Sequence, residues 1–473
     1  MRFSRRKMIA GGVAVGAGLT ARDRTSLLRG ESPSNRIRVG VIGTGVRGKY
    51  LIGNLPASAQ VTAICDCATS RMAKTLDPNK EFAEVLADFR DRQAPRCNTY
   101  QDYRRLLDTE KLDAVIIATP DHHHVQAAML ALQAGLDVYL EKPISVTIRE
   151  GRLLAEMVKA TGRVLQVGSQ QRTMEVNRFA CEFIRDGGLG KVTRVDCPNY
   201  PGPISRSDYP AEAIPGGLNW DLFVGPTPMR PHNRKLWVKD EFEVNELLWR
   251  GWDLFRDYSG HLMTNWGAHN IDMVQYALGM DKSGPVKVMP LDENTARNRK
   301  LDITESALEQ DWKEKWRRKT PRPNESFSDA IRFRPITMEY ANGTVLNFLP
   351  GIGTARFYGE RGTMAISRNK FVTEPIDLVK DASSISDAAR WDGVGHVARP
   401  HLQNWLDCIR SRETPNASIE IGQRSVTVCH LANLARELNR PLSWNPAKER
   451  FENDNEANAS LDRPRRKTFE LPT

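Results

Sequence analysis

The sequence predicts an α/β chain whose N-terminal part is a doubly wound parallel sheet. Three observations predict it. A β-type run, Ile37–Ile42, feeds the turn Gly43-Thr44-Gly45-Val46-Arg47-Gly48. Strand-like and helix-like segments then alternate as far as Val167, the pattern of a parallel sheet with helical crossovers. Further on, the runs Phe333–Tyr340 and Thr344–Leu349 flank Ala341-Asn342-Gly343 and read as a hairpin, with another turn in Phe357–Met364. A length of 473 residues suits about two or three domains.

Composition narrows the function classes. Hydrophobic residues at 40% and charged residues at 27% are values of a globular chain, and no run of about 18 apolar residues announces a transmembrane helix. A net charge of +10 would suit nucleic acid, but residues 1–36 hold eight Lys/Arg against two acidic side chains. A phosphate-neutralising domain clusters charge on one folded face, so no nucleic-acid partner is expected. Seven cysteines contain no Cys-x-x-Cys pair, and buried thiols are the expectation. No metal site is expected either: Cys65-x-Cys67 lacks further ligands, and consecutive His122, His123 and His124 splay apart on a loop.

The leader begins Ser4-Arg5-Arg6-Lys7 and continues through the mild apolar run Met8–Leu19. A cationic start with a short apolar stretch is a targeting segment, and the paired arginines resemble the twin-arginine export signal. The expected partner is the twin-arginine export machinery. The expected location is the periplasm, or its membrane through an uncleaved signal; Val15-Gly16-Ala17 is the best cleavage site. Such export carries folded protein, so a nucleotide could be taken up beforehand and stay tightly bound.

Each element of the first domain brings chemistry to one end of the sheet. The glycines of the first turn allow a tight bend, close approach of backbone to a pyrophosphate and close helix packing, and the following helix points N–H groups at the phosphates. Val61–Cys65 is the second strand and ends at Asp66, 23 residues beyond Gly43. A carboxylate there suits an adenosine ribose and repels a 2′-phosphate, so NAD is the expected cofactor, while Ser70 and Arg71 keep NADP open. Asp113–Thr119 is a buried strand, followed by a helix from His124 to Leu132. Leu136–Leu140 runs into Glu141-Lys142-Pro143, and Thr147–Glu150 is a capping box for a helix stopped by Gly162. Beyond the strand ends lie the ligand-binding positions: Gly43, Thr44, Gly45, Val46, Arg47, Gly48, Asp66, Arg71, Thr119, Pro120, His124, Glu141, Lys142 and Pro143.

The glycine turn, Asp66, Ala118-Thr119-Pro120-Asp121-His122-His123-His124 and Glu141-Lys142-Pro143 together resemble the Gfo/Idh/MocA family of glucose–fructose oxidoreductases and inositol dehydrogenases. Val167–Arg172 and Gly187–Val192 look like that family's domain junction, and Asp257–His261 through Asn265–Asp272 like its substrate-domain signature. The resemblance implies a C-terminal α+β domain with an open, mostly antiparallel sheet that carries substrate and often an oligomer interface. The implied boundaries are 1–35 for signal and linker, 36–165 for the Rossmann domain, 166–445 for the second domain and 446–473 for a polar, loose or wrapping tail. It also implies hydride transfer between nicotinamide and a sugar or polyol, with Lys142 at the reacting hydroxyl and His269 as acid/base. Homodimers or homotetramers are the implied assembly.

One position departs from the family pattern: Asn265 stands where an Asp often precedes the histidine by four residues. Residues i and i+4 share a helix face, so Asn265 can position substrate or His269, but it takes no proton. Arg172, Tyr200, Tyr258 and His261 are candidates for the substrate pocket with Asn265, because reading several hydroxyls calls for planar donors and phenols. Asp272 is a candidate for the same pocket and a candidate orienter of His269. The charged stretch 294–328 and the cluster Trp249-Arg250-Gly251-Trp252 receive no chemistry, although the aromatics could stack on a sugar. Two rival readings remain: a redox-neutral glycosidase or lyase that oxidises and eliminates, and a non-catalytic nucleotide or sugar binder.

Overall fold

The computed structural model describes residues 35–80, 82–204, 209–237, 251–291, 331–350, 352–385 and 398–472. The leader, Trp249-Arg250 and the 294–328 stretch lie outside these residues. In the first half, β1 (Ile37–Ile42), α1 (Val46–Gly53), β2 (Ala59–Cys65), α2 (Thr69–Leu76), α3 (Ala83–Arg92), β3 (Asn98–Tyr100) and α4 (Tyr103–Thr109) lead into β4 (Ala114–Ile117). They are followed by α5 (His124–Gln133), β5 (Asp137–Leu140), α6 (Ile148–Thr161) and β6 (Leu165–Val167). The six strands pair in parallel, in the order β3-β2-β1-β4-β5-β6. Ala114–Ile117 and Asp137–Leu140 are buried throughout, as strands covered on both faces must be. The order turns at β1/β4, and a doubly wound sheet binds its ligand in the crevice at that switch point.

The second half comprises α7 (Glu175–Arg185), β7 (Val192–Pro198), α8 (Trp220–Val224), α9 (His261–Ala277), β8 (Pro285–Pro290), β9 (Ile336–Tyr340) and β10 (Val345–Leu349). After these come β11 (Ala355–Gly359), β12 (Gly362–Ser367), β13 (Lys370–Glu374), α10 (Ala398–Ser411), α11 (Ile419–Leu438), β14 (Leu442–Asn445), β15 (Arg450–Phe451) and α12 (Asn455–Ala459). Nine strands form one sheet in the order β13-β12-β11-β7-β10-β9-β8-β14-β15. It is mixed and mostly antiparallel, with β7 and β10 its parallel pair. Its apolar face packs against α7, α9 and α11 through residues such as Cys181, Ile271, Val274, Phe348 and Leu431.

Two features cross the boundary between the halves. Helix α10 returns to the first sheet: Leu402, Trp405 and Leu406 join Val39, Ile64 and Ile116 in one core, and the Trp405 and Tyr139 rings lie 5.7 Å apart. Helix α10, which follows the second sheet's strands in sequence, thus covers a face of the first sheet. The tail is wrapped rather than loose. Arg463 donates from Nε to Glu150 Oε1 at 2.9 Å, from Nη1 to the Asp257 carbonyl at 2.8 Å and from Nη2 to the His122 carbonyl at 3.0 Å. Thr147 caps α6 by accepting the Glu150 N–H at 3.3 Å, while the Glu150 carboxylate turns to Arg463 and Arg465. Arg463→Ala removes one of the two cations on the buried Glu150 and the donors to two carbonyls, so it is expected to cost about 1–3 kcal/mol, read from chemical denaturation.

Candidate active site

The cofactor crevice is built by backbone geometry. Gly43 sits at φ +94°, and a Cβ there would come within 2.5 Å of the Ala118 carbonyl oxygen. At Gly48 a Cβ would meet the Gly43 carbonyl oxygen at 1.9 Å, so α1 approaches the turn more closely than a side chain allows. A Cβ on Gly45, by contrast, meets no described atom within 4 Å. That leaves open space at the N-terminus of α1, whose cap contributes no side-chain hydrogen bond, and a pyrophosphate fits such a place. Asp66 is fixed at the end of β2: its Oδ2 accepts the Thr44 N–H at 2.9 Å and its Oδ1 the Ala68 N–H at 3.0 Å. Thr119 Oγ1, at the end of β4, is buried without a partner among the described residues. The open cradle, the carboxylate at the ribose position and the orphaned hydroxyl fit a dinucleotide.

Arg71 lies over the Trp237 ring at 4.1 Å. A guanidinium so engaged is drawn away from a 2′-phosphate, which agrees with Asp66 in favouring NAD.

The loops after β4 and β5 are locked together. His124 Nδ1 lies 2.6 Å from the Pro143 carbonyl oxygen and Nε2 3.0 Å from that of Thr119, while burial pushes its pKa down. Glu141 accepts from Arg47 Nε at 2.8 Å and from Gln170 at 3.1 Å. A Cβ on Gly168 would strike the Glu141 carboxyl at 2.7 Å. The next residue, Lys142, donates from Nζ to Asn265 Oδ1 at 2.9 Å. Burial pushes Lys142 down to about 8 against the support of Glu141 and Asp121. Asn265 and His269 lie one turn apart on one face of α9. The cofactor crevice and the second-domain helix thus meet at Lys142 and Asn265.

The structure groups the remaining candidates differently. Tyr200 stays beside α9, its Oη accepting from Asn270 Nδ2 at 2.5 Å and its ring 3.3 Å from where a Cβ on Gly267 would stand. Arg172 and Asp272, expected in the substrate pocket, pair with each other at 2.8 Å, and both are buried. Arg172 also reaches Asp281 at 2.7 Å, and Asp272 accepts from Ser425 at 2.8 Å. A buried guanidinium requires such carboxylates. Asp272 lies about 10 Å further along the helix axis than Asn265. Tyr258, also expected in the pocket, is core instead: its ring meets that of His122 edge-on at 4.7 Å and stacks near Phe223. His261, likewise, is buried against Asp253 at 3.4 Å.

Two residues near the lysine are not among the site candidates drawn from the sequence, although Asp121 lies within the motif Ala118–His124. Asp121 accepts from Ser259 Oγ at 2.7 Å, linking the β4 loop to the start of α9, and burial pushes it up to about 7. Arg368, in the β12–β13 turn, lies over the Trp266 ring at 5.5 Å, and the Trp266 and His269 rings are 6.2 Å apart. No motif surrounds Arg368; only a folded sheet brings that turn to the helix.

A Rossmann domain whose crevice lysine is met by a helix of a second α/β domain defines the class: a two-domain scaffold with its candidate site where the dinucleotide crevice faces the second domain. Residues 37–169 match the NAD-binding Rossmann fold of the oxidoreductase family Gfo/Idh/MocA, and residues 204–305 and 370–471 match its C-terminal alpha/beta domain. The chain belongs to this family. It is 27% identical over 167 residues to inositol 2-dehydrogenase/D-chiro-inositol 3-dehydrogenase of Lactiplantibacillus plantarum, covering 34% of this chain and 44% of that protein. A glycosyl hydrolase family 109 protein of Stenotrophomonas maltophilia is 30% identical over 199 residues, 41% of each chain. The chain thus spans less than half the length of these curated relatives. In fold it is similar to scyllo-inositol dehydrogenase of Lactobacillus casei, solved with NAD(H) and scyllo-inositol, at a TM-score of 0.52 and 16% identity over 86% of this chain and 99% of that one.

Proposed function

We propose that the protein moves hydride between the nicotinamide of NAD and a carbon bearing a hydroxyl on a sugar or polyol. The observation that carries this reading is the 2.9 Å bond from Lys142 to Asn265, which brings the cofactor crevice to the helix holding His269. Oxidising an alcohol requires a base for the hydroxyl proton and a cation for the oxygen as its charge grows. His269 takes the proton. The Lys142 ammonium, with two N–H groups left after Asn265, holds the oxygen, and Asn265 keeps lysine and helix in register. NAD, when bound, supplies the hydride acceptor.

A second reading is favoured by the likeness to a glycosyl hydrolase family 109 protein and by the neutral Asn265. Here a sugar hydroxyl would be oxidised transiently by bound NAD, a base would take the neighbouring, now acidic C–H proton as the aglycone leaves with a proton, water would add to the resulting double bond (or, in a lyase, not), and hydride would return to the ketone. One experiment separates the two. The protein with its own nucleotide is mixed with polyols, sugars and nitrophenyl glycosides, without added NAD. Absorbance growing at 340 nm is expected for net oxidation, and repeated aglycone release without net reduction for the second reading. Neither signal with any compound would contradict both.

Export by the twin-arginine route, to the periplasm or to a membrane-held form with an uncleaved signal, is part of the same proposal. Its support is Arg5-Arg6 followed by Met8–Leu19. Assembly as a homodimer or homotetramer is proposed through the second sheet, whose edge strand β13 is only partly covered.

A further inference from the structure

Among the described residues, the charges around Lys142 do not balance. Arg47, Lys142 and Arg368 bring three cations to this region, where Glu141 is already the ion-pair partner of Arg47. Asp121, the other carboxylate acting on Lys142, is pushed up to about 7 by burial and so is only partly ionised near neutral pH. Lys142 faces the neutral Asn265. Arg368 has no carboxylate partner among the described residues, and its Nε is buried without an acceptor. Burial, together with the charge of Arg47, pushes it down to about 10. An unmet buried N–H is costly, and like charges held together are costlier still.

The turn that carries this arginine is built to hold it. Asn177 of α7, fully buried, donates from Nδ2 to the Ser367 carbonyl at 2.9 Å and accepts the Asn369 N–H through Oδ1 at 2.7 Å. Both neighbours of Arg368 are therefore pinned by one side chain, and Asn369 takes the left-handed φ of +59° that the turn requires. The guanidinium lies over Trp266, beside Asn265 and within the same turn of helix as His269. A firmly mounted guanidinium next to the catalytic face, with no carboxylate partner among the described residues, is an arrangement suited to take an oxyanion through two parallel N–H bonds.

We propose that Arg368 binds an oxyanion carried by the sugar, so that the substrate is an acidic sugar, a uronate or a sugar phosphate, rather than a neutral polyol. This rests on the hydride-transfer reading for the identity of the site, but not on any rate. The cofactor's own phosphates are the other source of such an anion, and the test distinguishes them.

Calorimetric titration of the protein with its nucleotide bound uses hexuronates, their methyl esters, hexose 6-phosphates and the neutral hexoses. At least one acidic sugar is expected to bind about tenfold or more tightly than its ester or neutral parent. Arg368→Gln is expected to erase that difference, leaving binding of the neutral compound and the nucleotide content as in the wild type, and Arg368→Lys to restore part of it. Equal binding of acids and neutral parents by the wild type, or binding of no acid at all, would overturn the proposal. So would Arg368→Gln losing nucleotide while keeping its preference for acids, which would assign the guanidinium to the cofactor. If Arg368→Gln does not fold, the wild-type comparison still decides. Because titration reads binding without turnover, a tightly bound acid that is never oxidised would leave this inference standing and contradict the hydride-transfer reading alone.

Discussion

Replacing Lys142 with methionine is expected to lower kcat/KM about 10²–10³-fold, the usual loss when one donor to a developing oxyanion is removed. Methionine keeps the length and apolar stem, so the crevice stays filled while its ammonium is lost. Nucleotide content should remain near that of the wild type, because the glycine turn and Asp66 lie elsewhere in the crevice. The same residue gives a pH dependence of definite sign. Burial pushes Lys142 down to about 8, although Glu141 and Asp121 oppose it. The protonated form is the working one, so activity is expected to fall as pH rises through about 8. Lys142→Arg, whose charge persists at every accessible pH, is expected to lose that alkaline limb even if its rate is lower. A pH profile of kcat/KM for the two proteins checks both statements.

His269→Ala is expected to cost about 10²–10⁴-fold in kcat, the range for general acid–base catalysis, with the nucleotide still bound. His269→Gln is the sharper variant. It retains hydrogen bonding but takes no proton at neutral pH, so it should be nearly as impaired as alanine. Near wild-type turnover by the glutamine variant would assign His269 a positioning role and move the base elsewhere. Asp121 would then be the first candidate for the base, since it lies by Lys142 and burial pushes its pKa up to about 7, so its ionised fraction can accept a proton near neutral pH.

The cofactor crevice was legible because its chemistry is local. Gly43 needs its positive φ and Gly48 its missing Cβ for reasons contained in six residues, and Asp66 follows from where a strand ends. The i, i+4 spacing likewise put Asn265 and His269 on one face without reference to the rest of the fold. What surrounds a side chain is not local. Arg172 and Asp272 have the types of residue that read hydroxyls, yet each serves as the other's counter-ion beneath α9, a pairing across 100 positions that no spacing rule contains. Tyr258 and His261 were misplaced for the same reason, since the rings and the carboxylate that enclose them come from Phe223, His122 and Asp253. An apolar face on α10 tells that the helix packs, not that it packs on the first sheet. Arg368 stands in a two-residue turn with no motif around it, and that its Nε meets no acceptor among the described residues is visible only in the fold.

In the proposed reaction hydride passes from a sugar carbon to a nicotinamide held between Lys142 and His269. The most direct test is a rapid-quench single turnover with a uniformly deuterated substrate, followed by mass analysis of the nucleotide released from the protein. The expected result is reduced nicotinamide one mass unit heavier than that formed from unlabelled substrate, whether the label stays on the cofactor or later returns to the sugar. Substrate consumed over the same interval with no deuterium in the nicotinamide at any quench time would contradict it.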